Sequence, residues 1–391
     1  MSFPSVLTRI AFSTAPFAAT PTWSDVSTDV MSVSIRRGRQ HELDRIEAGM
    51  ATLTLLNTSG NYWPDNTGGA YTPNVLPGKR INIRATYNAV TYDLFTGFIE
   101  SWKHGFLAVP GKLPIVTITA VDLLKNLSRL LLNDGTGYAQ QRTDQRVGEV
   151  LDDLVWPAAN RDLNVAQSNL IATGALANVN ALSHLQTAQE SELGIVFVAG
   201  DGDVQFQDRH ARLKSPYLTA SAIFGDDAGE QKYQDAEFNY DDQYIYNDVR
   251  ITRSGGTEQA VSDSTSQTDY GKRSLSRTGL LMTTDGEALD QAGWLKGRFK
   301  DPALRLRSIV ILPLKDEANL YPKVLSYDIS TRITVRLNAA SLDKDYHIEG
   351  IGYDFDRNGH WETRWQVSDA ESQQYFTLGT STLGTTTRLA Y

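Results

Sequence analysis

Cysteine is absent from the 391 residues, which excludes disulfides, thiolate metal sites and a cysteine nucleophile. No run of about 18 apolar residues occurs, so no helical membrane span is expected. The start, Met1-Ser-Phe-Pro-Ser-Val-Leu-Thr-Arg-Ile10, lacks the charged opening and apolar stretch of a signal peptide, and synthesis in a cytoplasm is the expectation. Positive charge is the minority sign. Thirty-seven Lys and Arg against 46 Asp and Glu leave a formal charge of −9, which argues against a general nucleic-acid-binding surface. The six histidines, at 41, 104, 184, 210, 347 and 360, include no pair at the i, i+3 or i+4 spacing of a helical metal site.

Catalytic motifs fail one by one. His41-Glu42 opens like a zinc-protease sequence, but Arg45 stands where the second histidine belongs. Gly379-Thr-Ser-Thr-Leu383 misses the nucleophile elbow, which requires glycine at position 383. Gly135-Thr-Gly137 is too short to cradle phosphate, and Asp152-Asp153 reads as a solvated helix face. Asp354-Phe-Asp-Arg-Asn-Gly359 fits the first half of a calcium loop, with oxygen ligands offered by Asp354, Asp356 and Asn358, yet position 12 is Trp365 instead of glutamate. Asn358-Gly359 is also a strong hairpin signal, and the hairpin is the favoured reading. No catalytic residue, metal or cofactor is therefore assigned, and the chain is not expected to be an enzyme.

What is present is period-two patterning. Trp23 to Arg39 reads as a strand, and Glu47 to Asn57 as a second, with Ala51, Leu53 and Leu55 on one face and Thr52 and Thr54 on the other. Further strands are expected at 79–85, 92–102 and 115–120, after which Asp122 caps a helix carrying leucines 123, 124, 127, 130 and 131. Helices capped by Thr143 or Asp144 and spanning Val179 to Leu193 follow, then a hairpin at 195–207. Strands resume near Phe238 and at 247–253, 307–312, 330–337, 346–353 and 360–367, with a helix at 285–299 between them. Ser262–Gly271 is too polar for a core. No short repeat is evident. At this length two or more domains are the default. The division expected is 1–125, a β-domain with an N-terminal arm, residues 1–22 forming a short strand or an arm that lies on another surface; 126–235, an α+β module; 236–370, a second β-domain; and 371–391, an extended tail.

Two surface groups stand out. Arg36, Arg37 and Arg39 around Gly38 suit contact with phosphate or carboxylates, or a polar strand end facing an acidic partner, and the second is favoured. Tyr62, Trp63 and Tyr71 fall on the turn-rich stretch Gly60–Gly69 and its flank, where they either cap the sheet beneath or form a contact surface.

Trp23-x-Asp-Val-x-x-Asp-Val, Arg37-Gly-Arg, Glu47-x-Gly-x-Ala-x-Leu-x-Leu-x-Asn, Trp63-Pro-Asp-Asn, Leu94-Phe-Thr-Gly-Phe-Ile-Glu and Ala120-Val-Asp together resemble the N-terminal domain of the tail hub, or minor tail, proteins of long-tailed bacteriophages. Gly194-Ile-Val-Phe-Val, Gly202-Asp-Val-Gln-Phe, Tyr246-Asn-Asp-Val, Ser264-Thr-Ser-Gln-Thr-Asp-Tyr-Gly and Phe376-Thr-Leu-Gly-Thr-Ser-Thr-Leu-Gly extend the likeness along nearly the whole chain. The resemblance implies a mainly β fold with an α+β middle module and two tail-tube-like antiparallel β-barrels per chain. It also implies a homotrimer in which the barrels make a pseudo-hexameric ring. Such a ring adapts a six-fold tail tube to a three-fold tip, lines part of the DNA channel without binding DNA specifically, and sits in the virion. Its implied partners are distal tail or tube proteins, the tape measure protein and tail fibres or spikes. With no further module after the tail, host binding and lysis are expected to sit on other proteins. A different reading makes the chain a receptor- or carbohydrate-binding tail protein that stacks sugars on Tyr62, Trp63, Tyr71, Trp361 and Trp365.

Overall fold

Period-two patterning becomes one large sheet in the computed structural model, which describes residues 3–107 and 112–370 with the two-residue strands Gln374–Tyr375 and Thr387–Arg388. The principal strands are β1 (Ser5–Ala11), β2 (Val30–Gly38), β3 (Met50–Leu56), β4 (Arg80–Tyr87), β5 (Val90–Leu107), β6 (Leu113–Val121), β7 (Ile195–Val198) and β8 (Val204–Gln207). They continue with β9 (Asp235–Asn239), β10 (Asp248–Arg253), β11 (Gln259–Ser262), β12 (Ser274–Leu280), β13 (Arg305–Ile311), β14 (Arg332–Leu337), β15 (Leu342–Asp356) and β16 (Trp361–Asp369). The helices are α1 (Leu123–Leu127), α2 (Thr143–Asp153), α3 (Ala181–Glu192), α4 (Ser264–Tyr270), α5 (Asp285–Phe299) and α6 (Glu317–Ser326).

Thirteen strands join in the order β9-β13-β16-β15-β2-β3-β6-β5-β4-β1, with Ser24–Asp25 beyond β1, β14 beside β15, and Ile223–Phe224 beside β14. The expected pair of closed barrels is not found among the described residues; an open, continuous sheet takes its place. The join is the antiparallel pairing of β15 with β2, from Gly350 opposite Gly38 to Asp356 opposite Ser32. One apolar cluster joins strands from both ends of the chain, running from Ile35, Leu53 and Ile118 to Ile309, Ile351 and Trp365. The alternation foreseen in β3 is present: Ala51, Leu53 and Leu55 are buried, and Thr52 and Thr54 are half-buried.

The sheet is built twice from the same plan. The order β2-β3-β6-β5-β4 recurs as β9-β13-β16-β15-β14. The fourth strand of each set, β5 and β15, carries one extra residue at the same place: Glu100 between the pairs Ile99 to Ala120 and Ser101 to Thr119, and Glu349 between Ile348 to Val367 and Gly350 to Gln366. Counting from those bulges, Arg80-Ile-Asn-Ile-Arg84 and Arg332-Ile-Thr-Val-Arg336 occupy matching positions, since Arg80 pairs with Phe98 and Arg332 with His347. The repeat is only five residues of similar character, and nothing in the sequence marks it off from ordinary strand patterning.

Among the described residues, two smaller cores and a three-residue cluster of Leu170, Ala188 and Leu281 lie beside the main one. Leu124, Val147, Val150, Leu185, Phe197 and Phe206 bring α1, α2, α3 and the β7–β8 hairpin together. Val249, Ile251, Ala288, Ala292 and Leu295 pack α5 on the three-stranded sheet β11-β10-β12, inserted between β9 and β13. Helix α5 buries Ala288, Gln291, Ala292, Leu295 and Phe299.

Several elements differ from expectation. The helix after Asp122 spans five residues; Leu131 lies beyond it in a two-residue strand and is 50% exposed. Asp122 does cap it, accepting from Leu124 N at 2.9 Å. Thr143 and Asp144 lie inside the first turn of α2, and it is Gln145 that caps, accepting from Arg142 N at 3.1 Å. The Ser- and Thr-rich 264–270 is helix α4, made possible by Asp263, which accepts from Ser266 N at 3.0 Å. Helix α6, with Pro322 inside it, has no counterpart in the sequence reading. Of the two readings of residues 1–22, a short strand or an arm, the strand is present as β1, paired along its length with β4. The extended tail expected over 371–391 lies outside the described residues, apart from the parallel pair Gln374–Tyr375 with Thr387–Arg388.

Candidate assembly surface

The bulge in β15 turns Glu349 into the centre of a buried charge cluster. Its carboxylate is fully buried and accepts from Arg39 Nε at 2.8 Å and from Arg212 Nη1 and Nη2 at 2.5 and 3.1 Å. Burial alone pushes this carboxyl up, but Arg212 and Arg39 outweigh it and hold it well below the usual carboxylate range. Beside it, burial lowers the His347 imidazole to about 3, and Arg212 works in the same direction. Arg39 N donates to Glu349 O at 2.9 Å. That approach needs Gly38, whose φ is +91° and where a Cβ would stand 2.3 Å from Glu349 O.

Arg37 is buried one residue earlier, 3.0 Å from Asp328 and donating to Val198 O at 3.2 Å. Burial lowers its basicity, and Asp328 more than restores it, so the net shift is upward. Two arginines of the basic cluster thus meet their acidic partners within the chain, and they tie β2 to β15 and to the β7–β8 hairpin. Arg36 is the exposed one. Next to these charges lies a cavity of about 150 Å³ bordered by the segment after β2, by α3 and by α5, in which Arg45 pairs with Glu190 at 2.6 Å and Arg298 with Glu42 at 2.9 Å. Among the described residues, no group of three His, Asp or Glu side chains converges to hold a metal.

The aromatic groups separate by burial. Tyr62 is fully buried, its hydroxyl donating to Asp29 at 2.6 Å. Tyr71 is half-buried and stacks on Phe12 at 4.0 Å. Trp63 is 43% exposed and leans on His104 at 4.7 Å. Trp361 and Trp365 are core residues, 1% and 0% exposed. The set proposed to stack sugars is therefore not a surface: Tyr62, Trp361 and Trp365 are consumed in packing, because they fall on the inward side of the sheet or under the loop. Asp354, Asp356 and Asn358 form the β15–β16 hairpin. Asp356 Oδ1 accepts from Asn358 N at 2.8 Å and His360 N at 3.1 Å, and Gly359 has φ +92°. The hairpin reading holds, and the turn's own N–H groups use the Asp356 oxygen that a cation would need.

Two of the strand edges that the sheet leaves open belong to strands of the repeated units. Among the described residues, Ser101–Leu107 of β5 pair on one side only, with Leu113–Thr119, and β9 pairs on one side only, with β13. Phe106 on the first edge is 64% exposed. No member of this pair of edges stood out in the sequence, because an edge is a property of the sheet order.

The fold is shared with solved phage tail proteins. The chain is similar over 94% of its length to 97% of a tail protein from Neisseria meningitidis, with TM-score 0.62 and 13% identity. It is similar over 93% of its length to 97% of the 43 kDa tail protein of prophage MuSo2 from Shewanella oneidensis, with TM-score 0.62 and 12% identity. A type VI secretion component from Escherichia coli, described as structurally similar to the T4 phage tail proteins gp27 and gp5, matches 88% of this chain and 74% of its own at TM-score 0.51 and 11% identity. No protein-family model matches the chain, and no curated protein matches it by sequence. No helix among the described residues is long and apolar enough to cross a membrane.

Proposed function

We propose that this chain is a structural hub of a phage tail tip or baseplate, assembling as a homotrimer whose six sheet units continue a six-fold tail tube and present three-fold symmetry to the tip. The observation that carries this is the duplicated strand set: a chain holding the unit twice makes six units from three copies. The segments 1–125 and 236–370 supply the two ring-forming units, and the ring encloses part of the DNA channel. DNA passes without specific binding; the acidic balance of −9 supports this, since a lumen rich in Lys and Arg would hold phosphate. The role is structural rather than catalytic. Distal tail or tube proteins, the tape measure protein and fibres or spikes are the partners, in a virion tail tip assembled from protein made in the host cytoplasm.

The test is the mass of the purified protein by light scattering over a concentration range, with electron microscopy of the same sample. A trimer with a ring-shaped projection and a central hole is expected. A species of another stoichiometry, or a trimer without a hole, would sink the proposal.

A further inference from the structure

Each sheet unit has a long fourth strand and an outermost first strand, and within the chain only one of the two possible unions is made. The long strand of the second unit, β15, covers the outer edge of the first unit's β2. The long strand of the first unit, β5, and the outer strand of the second, β9, are left without that partner. They lie seven strand steps apart in the sheet, at places that one chain does not bring together. We propose that β5 of one copy pairs antiparallel with β9 of the next, in the register that β15 adopts on β2. The inference deepens the ring reading above and rests on it for the number of copies; the pairing itself is read from the repeat.

The bulges set the register. Gly350 and Ser101 each directly follow the bulged residue, so Asp354, Phe355 and Asp356 correspond to Gly105, Phe106 and Leu107. On the other edge, Ser34, Val33 and Ser32 pair with Thr52, Leu53 and Thr54, while Glu237, Ala236 and Asp235 pair with Ser308, Ile309 and Val310 at the matching positions of the next strand. Within the chain Phe355 faces Val33, and Asp354 faces Ser34. Carried across, Phe106 faces the partner's Ala236, Gly105 the partner's Glu237, and Leu107 the partner's Asp235.

Three observations agree with this register. Phe355 is 5% exposed and stacks on Trp361 at 4.4 Å, whereas its counterpart Phe106 is 64% exposed, as expected of a residue still lacking its neighbour. Trp102 Nε1 and both ring nitrogens of His104, next to the open edge, are shielded from solvent and have no hydrogen-bond partner among the described residues. The edges carry opposite charge, Lys103 on β5 and Asp235 and Glu237 on β9, which favours this head-to-tail union over like-with-like pairing. Pairing would also cover an edge that otherwise invites uncontrolled association.

Because the chain has no cysteine, the register can be read by cross-linking. Opposed residues of antiparallel strands have Cα atoms roughly 4.5–5.5 Å apart, within disulfide reach. The variant Phe106→Cys with Ala236→Cys, oxidised mildly and run without reductant, is expected to convert most of the protein to covalent oligomers that reductant reverses. Either single variant should stay uncoupled, and Lys103→Cys with Ala236→Cys, which is out of register and on the other face, should couple poorly. Light scattering of the same samples separates the two levels of argument. An oligomer that fails to cross-link overturns the strand pairing and leaves the ring standing. Equal coupling of the out-of-register pair overturns the register. A monomer at every concentration, without cross-links, overturns pairing and ring together.

Discussion

Glu349 and Glu100 occupy the same position in the two units and meet opposite environments. Glu349 is fully buried between Arg39 and Arg212, and Glu100 is partly exposed, 2.7 Å from Arg129. Glu349→Gln would leave the guanidinium groups of Arg39 and of half-buried Arg212 without their counter-charge and is expected to cost about 3–5 kcal/mol, whereas Glu100→Gln should change stability by at most about 1 kcal/mol; urea unfolding of both variants measures the contrast. The histidines add a pH dependence. Burial lowers His41 and His347 from an ordinary 6.5 to about 3, so below pH 6.5 the unfolded chain takes up protons that the folded chain refuses. Stability must then fall as pH drops from 6.5 towards 3, each histidine contributing up to about 1.4 kcal/mol per pH unit. Unfolding midpoints in urea at pH 7 and pH 5 should show this, and His347→Gln should shrink the difference. Sequence identified Arg37 and Arg39 as a charged group seeking acidic partners. It left open where those partners lay, because Asp328 and Glu349 are some 300 positions away and only the β2–β15 pairing brings them near.

Gly38 decides an element. Its positive φ and its approach to Glu349 O let β15 lie against the end of β2, where any side chain would push the two strands apart. Gly38→Ala is expected to destabilise by about 1–3 kcal/mol, and hydrogen exchange should show the amide of Arg39, which bonds Glu349 O, losing protection first. Elements with strong local signals were legible. β3, α3, α5, the β7–β8 hairpin and the Asn358-Gly359 turn depend on alternation, caps and turn chemistry, all properties of neighbouring residues. Helix α4 was hidden because Ser and Thr usually compete with helical hydrogen bonds, and it forms here with Asp263 as cap and Ser266 buried, donating to Lys300 O at 2.5 Å. The leucines at 130 and 131 kept helical spacing but lie past a helix that ends at Leu127, since the chain there leaves to pair with Val179–Asn180.

At the scale of the whole molecule, association is expected to run through the two open edges. Phe106→Asp places a carboxylate opposite the acidic β9 edge, so it should lower the oligomeric mass seen by light scattering. The monomer's thermal melt should stay unchanged, because Phe106 makes little of the core. The intact protein's mass should also fall as salt rises, the charges being on exposed edges. The sequence by itself determined a cysteine-free, mainly β chain with a mixed insertion, most strand positions, and the absence of a catalytic motif. It also determined a likeness to phage tail proteins that the fold bears out. Only the tertiary structure decided that the strands form one open sheet, that Trp361 and Trp365 are core and Phe106 is not, and that the unit is present twice. The physical reason is that alternation says which residues share a face. Which strand lies next to which, and which edge is left without a neighbour, is set by pairings between residues hundreds of positions apart.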